Sequence, residues 1–97
     1  MPKVTVEYVG FFSKRTGKAR EQVWLREGSY LDELLADIAA RHPTLREELF
    51  EGGRVKPTLL VMVNGRAVNL RRDLRRVVLK DLDVVTISPP PPLGGKK

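Results

Sequence analysis

The stretch EGSYLDELLADIAARHP, residues 27–43, limits the fold of this chain more than any other. Leu31, Leu34, Leu35, Ile38 and Ala39 recur at the spacing of one helical face, with Glu33, Asp37 and Arg41 opposite them. Ser29, with Asp32 three residues on, gives a capping-box pattern at the start. Pro43 ends the helix, because its ring denies the preceding residue helical geometry. The pattern predicts one helix over residues 30–42. A single apolar stripe has to be buried against another element, and the rest of the chain offers mainly strands.

Val4, Val6 and Tyr8 alternate with Thr5 and Glu7, which predicts a half-buried strand that Gly10 breaks. SKRTGKAR reads as a polar loop, and EQVWLR resumes the alternation with Val23 and Leu25 on one face, so residues 4 to 25 form a hairpin. Trp24 falls on the opposite face, either covering the strand pair and the loop that holds Phe11 and Phe12, or serving as a docking residue. After the helix, TLREELF opens on a second cap pattern, Thr44 with Glu47, and predicts a short helical turn that Gly52-Gly53 ends. TLLVMVNGRAV runs into Asn64-Gly65, two residues that tolerate positive φ, so a strand turns back over Arg66 to Val68. LKDLDVVTIS gives a turn at Lys80 to Asp83 and a last strand, with Val85 and Ile87 facing one way and Val84 and Thr86 the other. The expected class is α+β: a mixed sheet of four to five strands packed on one main helix and largely open on its other face, the β-grasp architecture.

Composition narrows the chemistry. At 97 residues the chain makes one domain, near the lower end of what builds a core alone. It has no cysteine, which excludes disulfides, thiolate metal sites and a cysteine nucleophile together. The single histidine, His42, stands where a cation suits the helix C-terminus, and no tight Asp/Glu cluster accompanies it, so no metal site, no bound cofactor and no intrinsic catalysis are expected. The N-terminus enters strand pattern directly, without an apolar signal stretch, and no run is long enough to span a membrane; a cytoplasmic protein is expected. The formal charge of +6 is spread along the chain, except where Arg71, Arg72, Arg75 and Arg76 cluster in NLRRDLRRVVLK. That cluster is a solvated loop, a contact for an acidic protein or, least favoured because no aromatics are interleaved to stack on bases, a nucleic-acid contact.

The chain finishes in PPPPLGGKK, residues 89–97. The opening strand followed by GFF, the helix ending in RHPTLREELF, the run VMVNGRAV, and LKDLDVVTISPP leading into LGG together resemble the ubiquitin-like sulfur carriers of the MoaD and ThiS type, which include the small subunit of molybdopterin synthase. The resemblance implies a ubiquitin-like β-grasp domain over residues 1–88 and an extended tail over residues 89–97. It implies that a ubiquitin-activating-like enzyme uses ATP to adenylate a terminal glycine carboxylate, after which sulfur replaces AMP to give a thiocarboxylate. Gly94 and Gly95 then carry the reactive group, because glycine permits the close backbone approach that a narrow channel demands. Pro89, Pro90, Pro91, Pro92 and Leu93 support insertion, since prolines pre-set an extended conformation; at about 3.1 Å per residue the tail reaches roughly 20 Å to Gly95.

Three departures shape the expectation. Lys96 and Lys97 follow the diglycine, so loading at Gly95 calls for a protease to remove them, which lowers the formal charge from +6 to +4. Ser88 stands where the molybdopterin synthase subunit typically carries an aromatic residue before the prolines, and the tail has four prolines where that family typically has two. Leu82 stands where a turn glycine is expected. The resulting reading is a sulfur carrier, first of all for molybdopterin biosynthesis with the synthase large subunit as partner, with Phe11, Phe12, Trp24 and the four arginines as candidate contacts. The alternatives are a ubiquitin-like modifier joined to lysines and a non-covalent binding module for which the tail is dispensable.

Overall fold

The computed structural model describes residues 1–90. Its centre is a five-stranded mixed sheet in the order β2-β1-β7-β5-β6. β1 (Lys3–Tyr8) pairs antiparallel with β2 (Arg20–Trp24), setting Lys3 against Trp24 and Val4 against Val23. β7 (Val84–Ser88) lies parallel to β1 and antiparallel to β5 (Leu60–Val63), which turns into β6 (Arg66–Ala67). Parallel pairing of the first and last strands requires a long crossover, and the main helix α2 (Leu31–Arg41) lies on that path.

The predicted stripe is the one α2 buries: Leu31, Leu34, Leu35, Ile38 and Ala39. It packs on the inward residues of the strands, Val4, Val6, Val23, Val61, Val85 and Ile87, all without exposed surface. Each such aliphatic side chain contributes about 1.5–3 kcal/mol on leaving water. The helix begins one residue later than the Ser29 cap pattern implies. Tyr30 is the N-cap, and Glu33 Oε1 accepts from its backbone N–H at 2.8 Å. Ser29 is instead buried, its hydroxyl donating to the Arg26 carbonyl at 2.8 Å.

Two segments differ from the sequence reading. The connection after β1 is not a loop throughout, since Phe11–Thr16 forms a short helix, α1. Gly10 caps its start at φ 64°, Gly17 ends it at φ 76°, and Phe12 is driven into the core between them. After α2 the chain makes a 3₁₀ turn over Pro43–Leu45 and a one-turn helix, α3 (Arg46–Leu49). Gly52-Gly53 do not end that helix. They turn a hairpin of β3 (Phe50–Glu51) and β4 (Arg54–Val55), both at positive φ as such a tight turn demands. The hairpin at Asn64-Gly65 forms as expected, with Val63 opposite Arg66 and φ of 51° and 83° at the turn.

Candidate functional site

The base of the tail is set by β7. As the middle strand of the sheet it is held on both sides, by β1 as far as Ile87 and by β5 as far as Ser88 opposite Leu60. The Val9 N–H donates to the Ile87 carbonyl at 3.0 Å, the last rung on the β1 side. Pro89 then has no N–H to offer a neighbour, so the ladder cannot continue and the chain leaves the sheet. Gly10 faces the exit: a Cβ placed on it would stand 3.4 Å from Pro89 Cγ, and its φ of 64° is one that L residues rarely adopt. Pro89 is half-buried and Pro90 exposed. The sequence-predicted Pro91, Pro92, Leu93, Gly94 and Gly95, and the trailing Lys96 and Lys97, lie outside the described residues.

The entrance to β7 is equally well held. Asn64 Oδ1 accepts from the Val84 N–H at 2.8 Å while its amide donates to Asp83 Oδ1 at 2.9 Å, tying the β5–β6 turn to the strand. Asp83 Oδ2 closes the preceding turn by accepting from the Lys80 N–H at 2.8 Å. Leu82, where a glycine is expected, adopts φ 73° with its side chain 73% exposed.

The candidate contact residues do not gather on one surface. Phe12 is fully buried and belongs to the core, so it is withdrawn as a contact. Phe11 is half-buried beside it, ring centroids 4.5 Å apart, and carries the Arg15 guanidinium 5.3 Å above its own ring. Trp24 is 59% exposed on the sheet face away from α2, with Lys3 Nζ 5.6 Å above the ring. Arg72 and Arg76 turn to Asp73, at 2.9 and 3.9 Å, whereas Arg75 reaches Asp32 on α2 at 3.6 Å. The Arg72 contact holds the Asp73 carboxyl below the usual carboxylate range.

One charged cluster escaped the sequence reading. Glu21 shares the inward face of β2 with Val23, opposite Val6. There the Tyr8 hydroxyl donates to Glu21 Oε2, His42 Nε2 lies 2.7 Å from the same oxygen, and Lys18 Nζ lies 3.5 Å from Oε1. Burial opposes the ionised carboxylate, but the hydrogen bonds from Tyr8 and His42 and the attraction of His42 and Lys18 outweigh it and hold the carboxyl below its ordinary range. Burial first, and then Glu21, push the Tyr8 hydroxyl well above the usual phenol range. The signal was present in the alternation of EQVWLR, which places Glu21 with Val23 and Leu25. The cluster fastens the end of α2 to the sheet through Tyr8, which stands opposite Ile87 near the end of β7. Among the described residues no group of three or more His, Asp or Glu is placed to hold a metal ion, and no helix is long and apolar enough to cross a membrane.

Against known proteins, residues 6–92 match the ThiS family. Among solved structures, the chain is similar to a molybdopterin converting factor, subunit 1, from Pyrococcus furiosus, described there as putative: 33% identity, TM-score 0.76, covering 94% of this chain and all of that one. It is similar to the HVO 2177 protein of Haloferax volcanii at 26% identity and TM-score 0.83, covering 96% of this chain and 87% of the other. Small archaeal modifier protein 1 of the same organism shares the fold, with a TM-score of 0.82 at 17% identity over 94% of this chain and 100% of that one. No curated protein matches the chain significantly. With the family matched from the first strand to beyond the last, on a β-grasp sheet, the chain belongs to the ThiS family of ubiquitin-like sulfur carriers.

Proposed function

We propose that the protein is a carrier whose working end is the Gly95 carboxylate once Lys96 and Lys97 have been removed. The observation that supports this most is the placing of β7: the middle strand of the sheet, held on both sides, runs straight into Pro89-Pro90, and Pro91-Pro92 and then Leu93-Gly94-Gly95 follow in the sequence. A tail rooted in a strand held on both sides leaves the body at a fixed point, which lowers the ordering cost of insertion into a partner. In the reaction a carboxylate oxygen of Gly95 attacks the α-phosphate of ATP and pyrophosphate leaves. Hydrosulfide then attacks the acyl carbon and AMP leaves, producing the thiocarboxylate and releasing a proton. The partner enzyme supplies the ATP site; this chain supplies the carboxylate, the narrow diglycine and the docking surface. The likeness to a molybdopterin converting factor subunit at 33% identity favours molybdopterin biosynthesis as the destination of the sulfur, with the large subunit of the synthase as receiver.

A second reading, conjugation to lysines of other proteins, is favoured by the fold shared with a small archaeal modifier and by the two lysines that must be trimmed. Both readings use the same activated carboxylate and differ only in the acceptor. Intact mass of the protein purified from its own cells tests them. Loss of both lysines, with the mass gained when one carboxylate oxygen is exchanged for sulfur, is the expected result for the carrier. Conjugates of higher mass joined through Gly95 select the modifier, and a population that keeps both lysines throughout rejects both.

A further inference from the structure

The helix α2 has a second side that the sheet does not use. Ala36 and Ala40 are exposed there, and with Phe50 they floor a depression bounded by the β3–β4 hairpin. Ala36, Phe50 and Gly53 also belong to an open groove of ≈ 980 Å³ that continues between the hairpin and the turn at residues 70–75, where Leu70 and Leu74 extend the apolar floor. Both walls are fastened. The Lys56 N–H donates to the Leu49 carbonyl at 2.8 Å on the hairpin side, and Leu31 N–H to the Val77 carbonyl at 3.1 Å on the other.

The rim is cationic. Arg54, Lys56, Arg71 and Arg75 line the groove against two carboxylates, Glu51 and Asp32. Only Arg75 is engaged, by Asp32 Oδ2 at 3.6 Å; Arg54, Lys56 and Arg71 make no ion pair among the described residues. Asp32 Oδ1 is buried without a hydrogen-bond partner, so Arg75 is held by one oxygen alone. Residues 46–76 carry eight Arg/Lys against four Asp/Glu, four of the six net positive charges, and of those eight Arg54, Lys56, Arg71 and Arg75 line the groove.

The geometry points to this groove as a docking site for a short acidic segment of a partner protein, one that lays an apolar side chain on Ala36, Phe50 and Leu74 and sets carboxylates against Arg54, Lys56 and Arg71. Guanidinium groups bind carboxylates by paired hydrogen bonds, and a rim of free cations around an apolar floor suits a chain that alternates the two kinds of side chain. Nucleic acid fits less well. The groove holds one aromatic ring, Phe50, where strand binding stacks successive bases, and Glu51 and Asp32 oppose phosphates. The site lies on the helix side of the molecule and does not depend on what happens at Gly95.

The test uses the full chain, isotopically labelled, titrated with a synthetic peptide alternating leucine with aspartate and glutamate, a lysine-for-acid version of it, and a short poly-uridine RNA. The acidic peptide is expected to shift the amide resonances of Ala36, Phe50, Gly53 and Leu74, and the lysine peptide to shift none of them. Arg54→Glu and Arg71→Glu are each expected to weaken binding about tenfold, and Lys14→Glu, on α1, to leave it unchanged. Shifts confined to the outer sheet face, affinity indifferent to both reversals, or tighter binding of the RNA than of the acidic peptide would each overturn the assignment.

Discussion

At the scale of single residues, the turn before the last strand shows what a local conflict costs. Leu82 sits at φ 73°, where a Cβ crowds the following carbonyl at about 1–2 kcal/mol, and its exposed side chain gains little in return. The turn is kept by its neighbours: Leu82 N–H donates to the Lys3 carbonyl at 2.9 Å and the Lys3 N–H to Asp81 Oδ1 at 2.8 Å. Leu82→Gly removes the strain and adds about 0.5–1 kcal/mol of unfolded-chain entropy, so a net gain of up to about 1.5 kcal/mol is expected. Urea titration measures it; a loss of stability would show that the leucine side chain makes a contact worth more than the strain. Gly10 presents the opposite case. Its positive φ is combined with Pro89 Cγ 3.4 Å from where a Cβ would stand, whereas Gly17, also left-handed, has open space. Both alanine substitutions should destabilise by about 1–2 kcal/mol in denaturant. Only Gly10→Ala should also shift the amide resonances of Ile87 and Ser88, because only there does the added methyl come into contact with the root of the tail.

At the scale of elements, α2 was legible because a period of 3.6 survives over eleven residues, and the β5–β6 hairpin because Asn64-Gly65 names its own turn. The six residues of α1 and the two-residue strands β3 and β4 were not, since no period develops in so short a span. Phe12 looked like a surface aromatic beside Phe11 because nothing in the sequence says that Gly10 starts a helix and turns one ring inward. The groove was illegible for another reason: Asp32, Phe50 and Arg71 meet only through the fold, while the arginine run alone left several readings open. The Glu21 cluster is the element-scale feature with a pH signature. Its carboxyl ionises more readily in the folded chain than at the unfolded value near 4.3, so the stability it adds is fully present above about pH 5 and is lost as pH falls through the folded value. Glu21→Gln should cost about 1–3 kcal/mol at neutral pH, because His42 and Tyr8 lose a charged acceptor. It should also flatten the decline of stability between about pH 5 and pH 3. Denaturant melts of both proteins across that range decide it; parallel curves would show that Glu21 does not link folding to protons.

At the scale of the molecule, the fold and the proposed chemistry are separable along the sequence. Among the described residues the buried core side chains run from Val4 to Ile87, and the strand pairings close at Ser88. No described residue beyond that rung belongs to the core, so a chain ended after Pro90 is expected to keep its thermal midpoint to within about a degree, whereas core truncations such as Leu35→Ala should cost about 2–5 kcal/mol. The tail's composition was readable without any of this, and from Pro91 onward it lies outside the described residues. What the fold adds is the root: a middle strand that cannot sway without breaking pairs on both sides. If the proposed carrier function holds, the chain ended at Gly95 should be adenylated by its activating enzyme, the chain that keeps Lys96 and Lys97 should not, and Gly95→Ala in the trimmed chain should lower loading at least tenfold with no change in melting. Pyrophosphate release from ATP measures all three. Equal release by trimmed and untrimmed chains would place the reactive carboxylate elsewhere and leave the diglycine a spacer.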